Sequence, residues 1–282
     1  MSSSATCFRL KRLALVLTLV LAALAAACTS GAGPTALPTD NGAAAGDPEP
    51  AEQEPADAVE PQQPTTTDPE PGTEPAEDSP KPGEGREVKL VANPDAIDVL
   101  VNKEYALPPD YVPSDLVEPN VRFIFSEWHE RRLMRAEAAA ALEEMFAAAE
   151  EDGIYLAGVS GYRSYEYQEA LFTAYVSADG LEEAERYSAR PGHSEHQTGL
   201  AMDVSGSTGE CAADACFAGT PEAEWLAAHA HEHGFIVRYP EGKEDITGYM
   251  YEPWDVRYLG KELARKVYES GLTYEEFLKQ NR

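Results

Sequence analysis

The sequence predicts an α+β domain over residues 88–282, a small antiparallel sheet flanked by helices. Three observations carry this. Helical and extended segments alternate irregularly rather than in a strand–helix–strand rhythm. The helical segments are rich in Ala, Glu, Leu and Met, whereas the extended ones are short apolar runs. Gly and Pro punctuate the boundaries between them.

Taken in order, residues 101–117 read as an extended lead-in, with turns at Pro108, Pro109 and Pro113. The run from Arg132 to Glu151 has helical spacing and strong helix formers, and Gly153 ends it. Ile154 to Ser160 reads as a strand. Ser164 to Ala178 and Leu181 to Tyr187 read as helices, and Leu200 to Ser205 as a strand carrying Asp203. Pro221 to His233 opens with proline at a helix start and stops before Gly234. Phe235 to Tyr239 is predicted as a strand and Gly248 to Trp254 as another, with helices near 260–270 and 273–280 closing the chain. No internal repeat is visible.

Residues 1–27 read as an export signal of lipoprotein type. Arg9, Lys11 and Arg12 form a basic start, and Leu13 to Ala27 is an uncharged apolar run that is short for a membrane span and ends in small residues. Cys28 follows at once, so Ala25-Ala26-Ala27-Cys28 resembles a bacterial lipobox with Cys28 as the lipidated residue. Residues 28–87 read as a disordered acidic linker. They hold 12 prolines and 14 acidic residues against two basic ones, with almost no large apolar side chain to offset ordering entropy. The expected location is therefore extracytoplasmic and membrane-anchored, with the folded domain on an extended tether.

Residues 88–282 carry 17 basic and 36 acidic residues, a net charge of −19, which argues against nucleic acid as a partner. A monomer is expected. Cys211 and Cys216, separated by four residues in a Gly/Ala/Asp-rich loop, suit a local disulfide in an oxidising compartment. A metal pair fits them less well, because no second Cys/His pair stands nearby.

The chemistry concentrates in two segments. His196 and Asp203 lie seven positions apart in Ser194-Glu195-His196-Gln197-Thr198-Gly199-Leu200-Ala201-Met202-Asp203, and imidazole and carboxylate are both good Zn2+ ligands. A structural histidine is the plainer alternative. Glu252-Pro253-Trp254-Asp255 is either a solvated acidic turn or a site in which Glu252 acts as a general base. Arg163 follows a strand and either forms a surface ion pair or holds a carboxylate or developing oxyanion. Gln168 lies on the next helix, toward the same side. His229, His231 and His233 alternate in a way that keeps them off one helix face, so they read as helix and helix-end residues.

Several segments match one pattern in order: Val101-Asn102-Lys103, Ser160-Gly161-Tyr162-Arg163-Ser164 with Gln168, Pro191 through Asp203, Trp225-Leu226, Gly234-Phe235, Arg238-Tyr239-Pro240 and Glu252-Pro253-Trp254. This resembles the VanY-type D-alanyl-D-alanine carboxypeptidases of the M15 metallopeptidases, across roughly residues 100–270. The resemblance implies the zinc peptidase fold shared with Hedgehog domains and release of the C-terminal D-alanine from peptidoglycan stem peptides. It implies one Zn2+ per chain as a Lewis acid, with His196 and Asp203 as ligands. Glu252 and Arg163 would be the catalytic residues, Glu252 as base, and Arg163, Gln168 and Ser194 would bind substrate. An L,D-carboxypeptidase acting on tetrapeptide stems fits the same pattern.

One position departs. The pattern places a third ligand histidine where this chain has Asp255. Either Asp255 coordinates directly, or the domain binds stem peptides without turnover. A His-Asp-Asp set is harder and more negative than the family's, and admits Mn2+ or Fe2+ alongside Zn2+.

Overall fold

The computed structural model describes residues 88–281. The export signal, the linker and the expected lipidation site Cys28 lie outside the described residues. Among the described residues, no helix is long and apolar enough to cross a membrane.

The lead-in is extended, as its prolines suggest, and it makes two small pairings. β1 (Lys89–Leu90) runs parallel to β2 (Tyr105–Ala106), and β3 (Leu116–Val117) pairs antiparallel with β4 (Met134–Arg135). The first long helix, α1 (Ala136–Glu151), starts four residues later than expected. Arg132 is instead the end of a 3-10 turn over Glu130–Arg132, held by its bonds to Glu118 and to the Phe125 carbonyl. α1 buries Ala138, Ala139, Ala141, Leu142, Met145, Phe146 and Ala149, a stripe at helical spacing that faces the sheet.

β5 (Leu156–Ser160) follows, every residue buried. Ser164 caps α2 (Tyr165–Asp179) by accepting a hydrogen bond from Tyr167 N, and α3 (Leu181–Tyr187) follows Gly180 directly. β6 (Ala201–Gly206) leads into a loop closed by a Cys211–Cys216 disulfide. Thr220 caps α4 (Pro221–His229), whose last turn tightens into a 3-10 helix over Ala230–His233, so the expected helix is regular only to His229. β7 (Phe235–Tyr239), a short α5 (Glu244–Thr247), β8 (Glu252–Tyr258), α6 (Lys261–Ser270) and α7 (Tyr274–Asn281) complete the chain.

The main sheet is antiparallel in the order β5-β6-β8-β7. β6 and β8 occupy its centre and are buried throughout. β8 corrects the predicted strand Gly248–Trp254. Gly248 is left-handed and caps α5, so the chain turns extended only at Glu252 and stays so through Asp255 and Arg257. Both of these charged side chains lie inside. α1 and α4 contribute to the larger apolar cluster with the sheet, and α6 and α7 to a smaller one beside β7.

Candidate metal centre

His196 sits on a 3-10 turn over Glu195–Thr198 that leads into β6. Ser194 caps this turn by accepting a hydrogen bond from His196 N, and Thr198 Oγ1 donates to Glu195 O. Gly199 ends the turn at φ +67°, where a Cβ would press on Leu116 Cδ2 at 2.9 Å and Arg135 Cγ at 3.0 Å. Backbone conformation and space therefore both ask for glycine.

The imidazole is oriented from outside the turn. Its Nδ1 lies 2.7 Å from Gly161 O and donates to it, which leaves Nε2 as the lone-pair nitrogen of the neutral ring. Gly161 is itself fixed by the segment before β4: its N–H donates to Arg131 O, and Tyr162 N donates to Leu133 O. A side chain at Gly161 would collide with Leu133 O.

Asp203 on β6 and Asp255 on β8 are direct cross-strand partners. Both strands are irregular at this level, β5–β6 between Gly158 and Ser160 and β7–β8 between Val237 and Tyr239. Such bulges re-aim side chains beside functional sites. Asp203 and Asp255 are 6% and 3% exposed, and His196 is 2% exposed. His196 Nε2 lies 3.5 Å from Asp203 Oδ1 and 3.6 Å from Asp255 Oδ2.

These distances are long for hydrogen bonds, and His196 Nε2 and Asp255 Oδ1 are buried without a hydrogen-bond partner. They suit a cation instead. A tetrahedral Zn2+ with arms of about 2.0–2.2 Å has ligand-to-ligand edges of about 3.3–3.6 Å. The three residues together offer one ligand atom each, all within 4.8 Å of one another. Two buried carboxylates placed opposite each other repel, and a divalent ion between them removes that repulsion. The residues fit the group.

The electrostatics agree. Burial and the Arg163 cation push His196 down, but Asp203 and Asp255 outweigh them and leave it up to about 9. Burial raises Asp203, yet His196 and Arg163 hold it below the usual range. Burial raises Asp255, against the pull of His196. Glu252, 7% exposed on the same strand, is pushed well above the ordinary glutamate range by burial and then by the charges of Asp255 and Asp203. A carboxyl held high beside a ligand cluster is suited to accept and return a proton.

Arg163 stands on the other side of Asp203. Its Nη1 donates to Asp203 Oδ2 and to Ser160 Oγ, both at 3.2 Å, and its Nε has no hydrogen-bond partner. Arg163 thus orients the Asp203 carboxylate, a contact the sequence reading did not anticipate. Gln168 is buried, with Nε2 donating to Ala189 O at 2.7 Å and Oε1 unpaired. It braces the approach to Pro191–Ser194. His229 and His233 lie against the Trp225 ring, and His231 stacks on Tyr268.

Sequence reasoning also overlooked a buried charge cluster. Glu195, Arg238 and Arg257 are almost completely inaccessible, and Glu195 bridges the two arginines. Glu275 on α7 takes the other side of Arg238. The one signal was Arg238, a charge inside the predicted apolar strand Phe235–Tyr239.

A family model described as VanY, D-alanyl-D-alanine carboxypeptidase, matches residues 131–261. The putative carboxypeptidase YodJ of Bacillus subtilis (strain 168) is 48% identical over 193 residues, covering 68% of this chain and 71% of that protein. The LdcB LD-carboxypeptidase structure superposes with a TM-score of 0.65 at 48% identity, over 68% of this chain and 90% of that one. A vancomycin-resistance D,D-pentapeptidase VanY in complex with Zn(II) superposes with a TM-score of 0.53 at 34% identity, over 64% of this chain and 98% of that one. With the buried His196–Asp203–Asp255 triangle that could hold a metal, these place the chain in the VanY D-alanyl-D-alanine carboxypeptidase family, as a metallocarboxypeptidase.

Proposed function

We propose that the protein removes the C-terminal D-alanine from peptidoglycan stem peptides at a zinc centre held by His196 Nε2, Asp203 and Asp255. The observation that carries this reading is the buried triangle, whose two histidine–carboxylate edges of 3.5 and 3.6 Å match a tetrahedral site. Zn2+, when bound, supplies Lewis acidity at the scissile carbonyl. The extra carboxylate at 255 also suits Mn2+ or Fe2+.

Glu252 is the base in this reading. It takes the proton of the attacking water and delivers it to the departing amine, a task for a carboxyl held above its ordinary range. Arg163 keeps Asp203 aligned through Nη1, and in this reading its guanidinium also meets the substrate's terminal carboxylate. Gln168 and Ser194 support the substrate side in this reading, Gln168 by holding Ala189 O and Ser194 as the cap of the His196 turn. Export, lipidation at Cys28 and the acidic tether would place this activity at the cell envelope.

Two bonds release D-alanine: the D,D bond of a pentapeptide stem and the L,D bond of a tetrapeptide stem. The family model and the zinc-bound VanY favour the D,D bond, the reading expected from the sequence. The second reading is the L,D bond, favoured by the higher identity and TM-score to LdcB. Parallel assay of D-alanine release from synthetic penta- and tetrapeptide stems separates them. Preference for the pentapeptide supports the first reading, and turnover of the tetrapeptide alone replaces it with the second. Turnover of neither, with metal bound, contradicts both.

A further inference from the structure

Glu195 directly precedes the candidate ligand histidine, yet its side chain pairs with two arginines instead of joining the ligand group. It is 1% exposed, and each carboxylate oxygen meets a different guanidinium. Oε2 accepts from Arg238 Nε at 2.9 Å, and Oε1 forms an ion pair with Arg257 Nη1 at 2.8 Å, without hydrogen-bond alignment. Both arginines are fully buried. Arg257 lies two residues beyond Asp255 on β8, and Arg238 directly precedes Tyr239, the cross-strand partner of Glu252. One carboxylate therefore ties the histidine turn to the strand bearing Asp255 and Glu252 and to the strand that pairs with it.

The arginines are anchored in turn. Arg257 Nη2 donates to Ile97 O and Val99 O, and its Nε to Tyr258 O. Arg238 donates through Nη1 and Nη2 to Glu275 on α7. Two cations and two anions balance within the cluster. A buried ion cluster is a poor route to stability compared with apolar packing of the same volume, but its directional hydrogen bonds fix one arrangement of the groups around it. A four-residue 3-10 turn has few bonds of its own with which to hold its orientation.

We infer that Glu195 is a positioning residue, which through Arg257 and Arg238 sets the placement of His196 relative to Asp255 and Glu252. The inference rests on the reading of His196, Asp203 and Asp255 as metal ligands. Glu195 itself touches neither metal nor substrate.

The test compares the full chain with Glu195→Gln, Glu195→Asp and Glu275→Gln. Zinc affinity is measured by competition with a chelator, well below every variant's unfolding transition, and the visible spectrum is recorded after Co2+ substitution. Glu195→Gln should weaken zinc by about ten- to a hundredfold, the range seen when groups supporting metal ligands are lost, and should change the cobalt spectrum. It should lower kcat while leaving KM nearly unchanged. Glu195→Asp, which keeps the charge, should recover part of the affinity. Glu275→Gln, which loosens only the α7 side of Arg238, should lower thermal stability but keep zinc affinity.

A folded Glu195→Gln variant with the parent's zinc affinity and cobalt spectrum overturns the inference while leaving the ligand assignment intact. A folded parent that binds no zinc overturns the ligand assignment and this inference with it. If Glu195→Gln does not fold, Glu195→Asp and Arg257→Lys carry the test: weakened zinc binding in the folded state supports it, and parental affinity in both overturns it.

Discussion

Position 255 decides the character of the site. Asp255 faces Asp203 across β6 and β8 with no residue between them, so without a cation two buried carboxylates confront each other. Replacing Asp255 with His removes one of these charges and supplies a ligand that zinc favours over manganese. Asp255→His should therefore tighten zinc binding and raise the ratio of zinc to manganese affinity, measured by competition titration with each ion. An unchanged ratio would show that residue 255 does not reach the metal. His196 and Asp203 were legible from their close spacing. Asp255 was legible only as a departure from a family pattern, because the strand that buries it was expected to end at Trp254.

Among the elements, the turn over Glu195–Thr198 bears most directly on the site. It presents His196 and then hands the chain to β6 through Gly199, which is left-handed and pressed by Leu116 and Arg135. Gly199→Ala combines a conformational cost of about 1–2 kcal/mol with a steric clash. The expected result is a fall in melting temperature of about 2–8 °C, with weaker zinc binding in the folded fraction, followed by thermal unfolding with and without zinc. A variant as stable as the parent would show that the turn tolerates a Cβ. The central strand β6 and the long helices were readable in the sequence, whereas β8 was expected four residues too early. The pairings of β1 with β2 and of β3 with β4 were not, since two-residue strands carry no period. The cluster around Glu195 was hidden for another reason: buried charge looks like surface charge until its partner, 43 positions away in the case of Arg238, is brought beside it.

For the molecule as a whole, the site makes stability depend on pH and on metal together. Folding raises Glu252, Asp255 and, to about 9, His196. A group raised by folding stabilises the fold below its unfolded pKa, and that contribution is lost as pH climbs through the folded value. Asp203 works in the opposite sense, because folding holds it low, and its contribution is lost only as pH falls through the acid range. For His196 the window runs from its ordinary 6.5 to about 9, so the metal-free protein should lose stability across it. Zinc needs a neutral imidazole and ionised carboxylates, so its stabilising effect should grow over the same window. Melting temperatures of the zinc-loaded and chelator-treated protein should diverge with rising pH, and a constant gap would refute the coupling.

The central claim is that this buried triangle is a working metal centre despite its aspartate. The most direct measurement is the metal content of the purified full chain after zinc loading, with D-alanine release assayed on the same preparation and on Glu252→Gln. We expect about one zinc per chain in both proteins, with release by the parent and its loss in the variant. A parent that holds no metal and releases no D-alanine would contradict the account.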